Sequence, residues 1–168
     1  MKIRFAIISC LAVSLLGFVG VLPASADRPT REFSPSEDWT IASEFACGTG
    51  DVLVHIDENN EYATTRTDPD GVEHTHISGV LKQTFTNLAT GSSVPVNVSG
   101  PATLTYDGDT VDIVGSGNWV WSWFDNLPNQ ILYTTGGFHA IIDTANDTVT
   151  LTFVKQPARV ENICSQLS

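Results

Sequence analysis

From Phe45 onward the chain runs in short stretches of alternating or β-branched residues, and each stretch stops at a turn signal. That pattern leaves room for antiparallel strands joined by tight connections and for little else. Val52, Val54 and Ile56 share one face before a turn at Glu58-Asn59-Asn60, and Tyr62–Thr67 ends at Asp68-Pro69-Asp70-Gly71. Val72–Asn87 is long for one strand, so Gly79 marks a bulge or bend within it. Ala89-Thr90-Gly91-Ser92 turns the chain into Val94, Val96 and Val98, where Pro95 argues for an edge or a bulge. After Gly100-Pro101 come Thr103–Tyr106, a tight hairpin at Asp107-Gly108-Asp109, Val111–Ser116 and Trp119–Phe124. The loop 125–129 then leads to Ile131–Thr135, a Gly136-Gly137 turn, Phe138–Asp143, a turn at Ala145-Asn146-Asp147 and Thr148–Lys155. This amounts to roughly eight to ten short strands. No stretch carries a capped 3.6-residue apolar stripe, and no long internal repeat is visible.

The N-terminus has a different character. Met1-Lys2-Ile3-Arg4 is a short positive region, Phe5–Leu22 is largely apolar, and Pro23-Ala24-Ser25-Ala26 offers small residues for cleavage. Residues 1–26 are expected to be a secretory signal peptide cut after Ala26, which makes the protein extracellular and free of a membrane anchor once processed. Cys10 leaves with that segment, so Cys47 and Cys164 remain as a pair. In an exported domain they are expected to form a disulfide closing a loop of 118 residues. The chain-entropy account gives such a loop ~4–5 kcal/mol. Residues 27–43 contain Pro29 and Pro35 and no apolar period, and they read as a flexible leader that docks through Trp39 and Ile41. The body is residues 44–168.

Charge excludes one class of partner. The chain holds 8 Lys or Arg against 19 Asp or Glu, a formal net charge of −11. Export removes Lys2 and Arg4 and no acid, so the excess deepens. Nucleic acid and anionic lipid are not expected as partners, because the surface lacks the cations that displace counterions.

For the architecture, sequential hairpins favour a single antiparallel up-and-down β-barrel of about eight strands, whose first and last strands the disulfide would clasp. A two-sheet β-sandwich is the alternative. Cys47-Gly48, the run Thr86–Val94, Ser99-Gly100-Pro101 and Ile163-Cys164 resemble small secreted actinobacterial β-barrel proteins, over nearly the whole body. The resemblance implies a compact, calycin-like barrel with a terminal disulfide, and it carries no activity. The Gly-x-Trp of lipocalin first strands has its one counterpart at Gly117-Asn118-Trp119, far along the chain.

Three groups of residues are candidates for a site. Trp119, Trp121 and Trp123 are spaced by two, so in a strand their indoles share one face. Turned inward, they line a ligand cavity together with Tyr133 and Phe138; turned outward, they form a platform for an interaction module. His74 and His76 also share a strand face, and with His55 or His139 they would make a three-His metal site of the kind a metal-dependent enzyme uses. The acidic turns at Asp68 and Asp70, Asp107 and Asp109, and Asp143 and Asp147 offer oxygens for Ca²⁺, without EF-hand spacing. Gly-x-Ser-x-Gly is absent and no cysteine is left free. The favoured expectation is a non-enzymatic binder of a small apolar or aromatic ligand that needs no cofactor. The oligomeric state is not legible.

Overall fold

The computed structural model describes residues 29–122, 124–154 and 159–168. The described strands are β1 (Arg31–Phe33), β2 (Trp39–Ile41), β3 (Val52–Asn59), β4 (Tyr62–Thr67), β5 (Glu73–Ser78), β6 (Leu81–Asn87) and β7 (Ser93–Asn97). They continue with β8 (Ala102–Asp107), β9 (Thr110–Gly115), β10 (Asn118–Trp121), β11 (Leu132–Thr135), β12 (Phe138–Asp143), β13 (Thr148–Phe153) and β14 (Arg159–Asn162). A single 3-10 turn, η1 (Ile163–Gln166), follows β14. All pairings are antiparallel, in a seven-stranded sheet β1-β4-β5-β8-β9-β12-β13, a four-stranded sheet β2-β3-β6-β7 and a three-stranded sheet β10-β11-β14.

Chain order explains this division. The successive pairs β3–β4, β5–β6, β7–β8, β9–β10, β11–β12 and β13–β14 are long arms that each pass from one sheet into another. In the seven-stranded sheet all the arms lie side by side in chain order; beyond it the first three continue as β3-β6-β7 and the last three as β10-β11-β14. The meander therefore forks between β7 and β10.

Local chemistry places the bends. Glu58-Asn59-Asn60, expected to reverse the chain, only bends it: the Asn60 N–H donates to the Val80 carbonyl at 2.7 Å, so pairing runs through the corner. Gly79 stands opposite with φ +150°, and a Cβ there would lie 2.2 Å from the Asn60 oxygen. A side chain would push the two arms apart, which is the bend expected at Gly79. At the fork, the Asn118 N–H donates to the Ser99 carbonyl and the Ser116 N–H to the Pro101 carbonyl. Gly100 between them has no room for a Cβ, which would meet the Ser116 oxygen at 2.2 Å and the Trp119 Nε1 at 2.8 Å. Pro95 lies on β7, an edge of the four-stranded sheet, where a missing N–H is tolerated.

The expected closed barrel is corrected by this arrangement. The hairpin meander is present, but each sheet is open, with edges at β1 and β13, β2 and β7, and β10 and β14. After the fork the first and last arms lie in different small sheets, so no ladder joins β3 to β14 among the described residues. A covalent link spans them instead: Cys47, ahead of β3, is bonded to Cys164 in η1, with Cα atoms 5.3 Å apart. The expected disulfide is thus present.

Two cores result. One joins Ile41, Val52, Val54, Phe85, Val94, Val96 and Val98 of the four-stranded side to Ile131, Ile163 and Leu167, with Val120 and Tyr133 packed against it. The other sets Trp121, Phe124 and Phe138 against Ala102, Ile113, Ala140 and Val149, with Trp119 and Leu132 alongside. Val120 pairs with Tyr133 and Trp121 with Leu132, so the two faces of the three-stranded sheet serve different cores. Residues 31–33 and 39–41, expected in a flexible leader, supply β1 and β2; Trp39 pairs with Val54 and Ile41 with Val52, and Ile41 is buried. The expected signal peptide, residues 1–26, lies outside the described residues. Among the described residues no helix is long and apolar enough to cross a membrane.

Candidate functional site

Period two correctly places Trp119 and Trp121 on one strand face, and that face turns inward. Their rings stack at 5.9 Å with planes 23° apart, and both meet Phe138 edge to face, at 5.1 and 5.0 Å. Trp121 and Phe138 are buried, and the Trp121 Nε1 donates to the Thr134 Oγ1 at 3.0 Å. A buried indole N–H is therefore satisfied, and these rings are packing rather than an open platform. Trp123 lies outside the described residues. Tyr133 points the other way, into a groove of about 140 Å³ beside Arg159 and Glu161. Of the four described residues expected to line a ligand cavity, Trp119, Trp121, Tyr133 and Phe138, only Trp119 borders the cleft described next.

That cleft opens at the fork, where the four- and three-stranded sheets leave the seven-stranded one. It measures about 180 Å³ and is walled by Trp39, Ile77, Leu81, Phe85, Val98, Trp119 and Val120, with Glu61 and Gln83 as its polar members. Each wall residue has a structural reason to be there. Leu81, Gln83 and Phe85 alternate on one face of β6, Trp39 comes from the added strand β2, and Val98 and Trp119 flank the Gly100 approach. Glu61 sits at the corner between β3 and β4, where its N–H donates to the Asn59 Oδ1 and its carbonyl accepts from the Ser34 N–H. Only 9% of Glu61 and 4% of Gln83 are exposed. Burial pushes the Glu61 carboxyl up from its usual range, because the charged form loses water. Sequence reading missed both residues. A polar residue on an otherwise apolar strand face, Gln83 between Leu81 and Phe85, was the available signal; Glu61, beside a corner, had none.

The four histidines do not converge. His74 and His76 share a face of β5 as expected, in a groove of about 310 Å³ with Thr64, Arg66 and Thr103. His74 hydrogen-bonds Thr105 and Asp68, and His76 hydrogen-bonds Thr103. The register His76–Thr103–Val114–His139 puts His139 three strands away. At ~4.8 Å per strand that is ~14 Å, too far for a shared ion. His139 pairs with Asp112 at 2.8 Å, and His55, in the four-stranded sheet, with Asp38 at 2.7 Å. Among the described residues no group of three or more His, Cys, Asp or Glu is placed to hold a metal, and the acidic turns are included in that statement. Asp68 instead faces His74 and Arg66, while Asp143 accepts from Ala145 and Asn146 within its own turn.

No protein-family model, curated protein or solved structure matches this chain.

Proposed function

We propose that this chain is an exported, non-enzymatic protein that binds one small apolar or aromatic molecule in the cleft at the fork. The observation that carries this reading is the cleft itself: about 180 Å³ walled almost wholly by aliphatic and indole side chains, with two polar groups. Binding sites for small molecules have this composition, and a dry cavity of ~150 Å³ is enough for benzene. The ligand class is therefore a single ring or an aliphatic chain of similar bulk. Export rests on the leader sequence of residues 1–26, and the disulfide fits an oxidising compartment. The architecture is best read as a forked sandwich, two small sheets facing each other beneath a larger one, rather than the calycin-like barrel that the resemblance implies.

The test is a calorimetric and tryptophan-fluorescence titration of the mature chain with single-ring aromatics, repeated on Val98→Phe, which puts a ring into the cleft. Saturable binding that Val98→Phe abolishes is the expected result. Absence of binding across the panel, or binding undiminished in Val98→Phe, would sink the proposal.

A further inference from the structure

Glu61 and Gln83 are nine-tenths or more buried, both line the cleft, and neither side chain makes a hydrogen bond to any described residue. Their polar atoms stay reachable from the cleft, unlike the Ser122 Oγ, which is buried without a partner, so Glu61 and Gln83 are free to pair with a group that enters the cleft. The chemistry of that group can be read from what is on offer. A carboxylate only accepts, and an amide offers one accepting oxygen and two donor hydrogens. No Lys, Arg or His is among the lining residues, and the Trp119 Nε1 already donates to the Ser116 carbonyl. No positive charge on the cleft wall therefore faces the Glu61 carboxylate. The cleft's two indoles add attraction for a positive charge, and the acidic chain concentrates cations around itself.

Resting on the reading of the cleft as a binding site, we infer that its ligand is a small primary amine on a single apolar ring or chain, whose ammonium sits between the Glu61 carboxylate and the Gln83 amide oxygen. The hydrocarbon part fills the space between Leu81, Phe85, Val98 and Trp119. An ammonium supplies three donors and a charge, which restores to Glu61 what burial has taken from it. A carboxylate ligand would set two like charges together in an apolar cleft, and an uncharged hydrocarbon would leave both polar groups unpaired.

The experiment uses four probes with one ring and different heads: benzylamine, benzyl alcohol, toluene and benzoate. Each is titrated by calorimetry against the mature disulfide-bonded chain and against Glu61→Gln. Benzylamine is expected to bind about tenfold or more tightly than toluene or benzyl alcohol, the size of one buried charge-assisted hydrogen bond. Benzoate is expected not to bind, and Glu61→Gln to bring benzylamine level with toluene. Because Glu61→Gln removes a buried charge without a partner, the ligand-free variant is expected to melt ~2–4 °C higher. Toluene binding as tightly as benzylamine, or benzylamine selectivity surviving Glu61→Gln, would overturn the amine inference and leave the cleft reading in place. A lower melting temperature in Glu61→Gln would also overturn it, since the carboxylate would then serve the fold. If none of the four binds, both readings fall.

Discussion

Where the arms lie in the seven-stranded sheet, Trp119, Trp121 and Phe138 fill the space above it with ring contacts of 5.0 to 5.9 Å. Where the same arms continue into the two smaller sheets, the facing residues are mostly Val and Ile, and a cleft of about 180 Å³ remains. Rings wall the cleft too, in Trp39, Phe85 and Trp119, so what separates the two regions is the divergence of the sheets, which leaves a void that the packed layers lack. The packed half thus forms a filled layer, and the forked half holds a cleft with apolar walls and two polar side chains, Glu61 and Gln83.

The largest perturbation of this contrast is removal of the clasp. Cys47→Ser with Cys164→Ser is expected to cost ~4–5 kcal/mol at most, read from urea unfolding, with ligand binding lost before global unfolding because the link spans the forked half. Equal loss of near-ultraviolet ellipticity from the packed aromatic cluster at the same urea concentration would show instead that the halves unfold together. A second comparison enlarges one residue in each half. Ala140→Leu, in the packed core, is expected to cost ~1–3 kcal/mol, and Val98→Phe, beside the cleft, under ~1 kcal/mol. Similar costs would mean that the cleft is not available space.

The smallest effect concerns how β2 is held on the forked half. Hydrogen bonding and charge from Asp38 raise the His55 imidazole above its usual range, while His55 and the Ile56 N–H lower the Asp38 carboxyl. A raised imidazole stabilises below its unfolded value and loses that contribution as pH rises through its folded one. A depressed carboxylate stabilises above its unfolded value and loses that as pH falls through its folded one. Their shared contribution is therefore fullest between ordinary Asp and His values, about pH 4 to 6.5. Asp38→Asn should lower the melting temperature most within that window and progressively less as pH rises through the raised His55 value, and a difference that is the same at every pH would refute the pairing.

Several features of the fold are legible in the sequence itself. The Asp-Gly and Gly-Gly turns locate hairpins because they demand particular backbone angles, and Gly79 and Pro95 carry positional meaning for the same reason. Closure was not legible. Alternation tells which residues share a face, and short turns tell which strands are neighbours, but neither says whether the first arm meets the last. The Trp119 and Trp121 spacing likewise defines a face without its direction, because both faces of the three-stranded sheet are covered. Trp39 entered the cleft through β2, from a segment whose prolines conceal a short edge strand. The four histidines show the limit of spacing: i, i+2 on one strand is visible in sequence, but the separation between strands is not.

The Cys47–Cys164 link lies at the end of the small sheets remote from the seven-stranded one, whereas Glu61, Ile77, Val98 and Trp119 lie at the fork. The two small sheets are therefore leaves hinged on a common spine and tied at their free margin. Such a tie limits how far the leaves can part. Reducing the link would free that margin and leave the ladders of the seven-stranded sheet untouched.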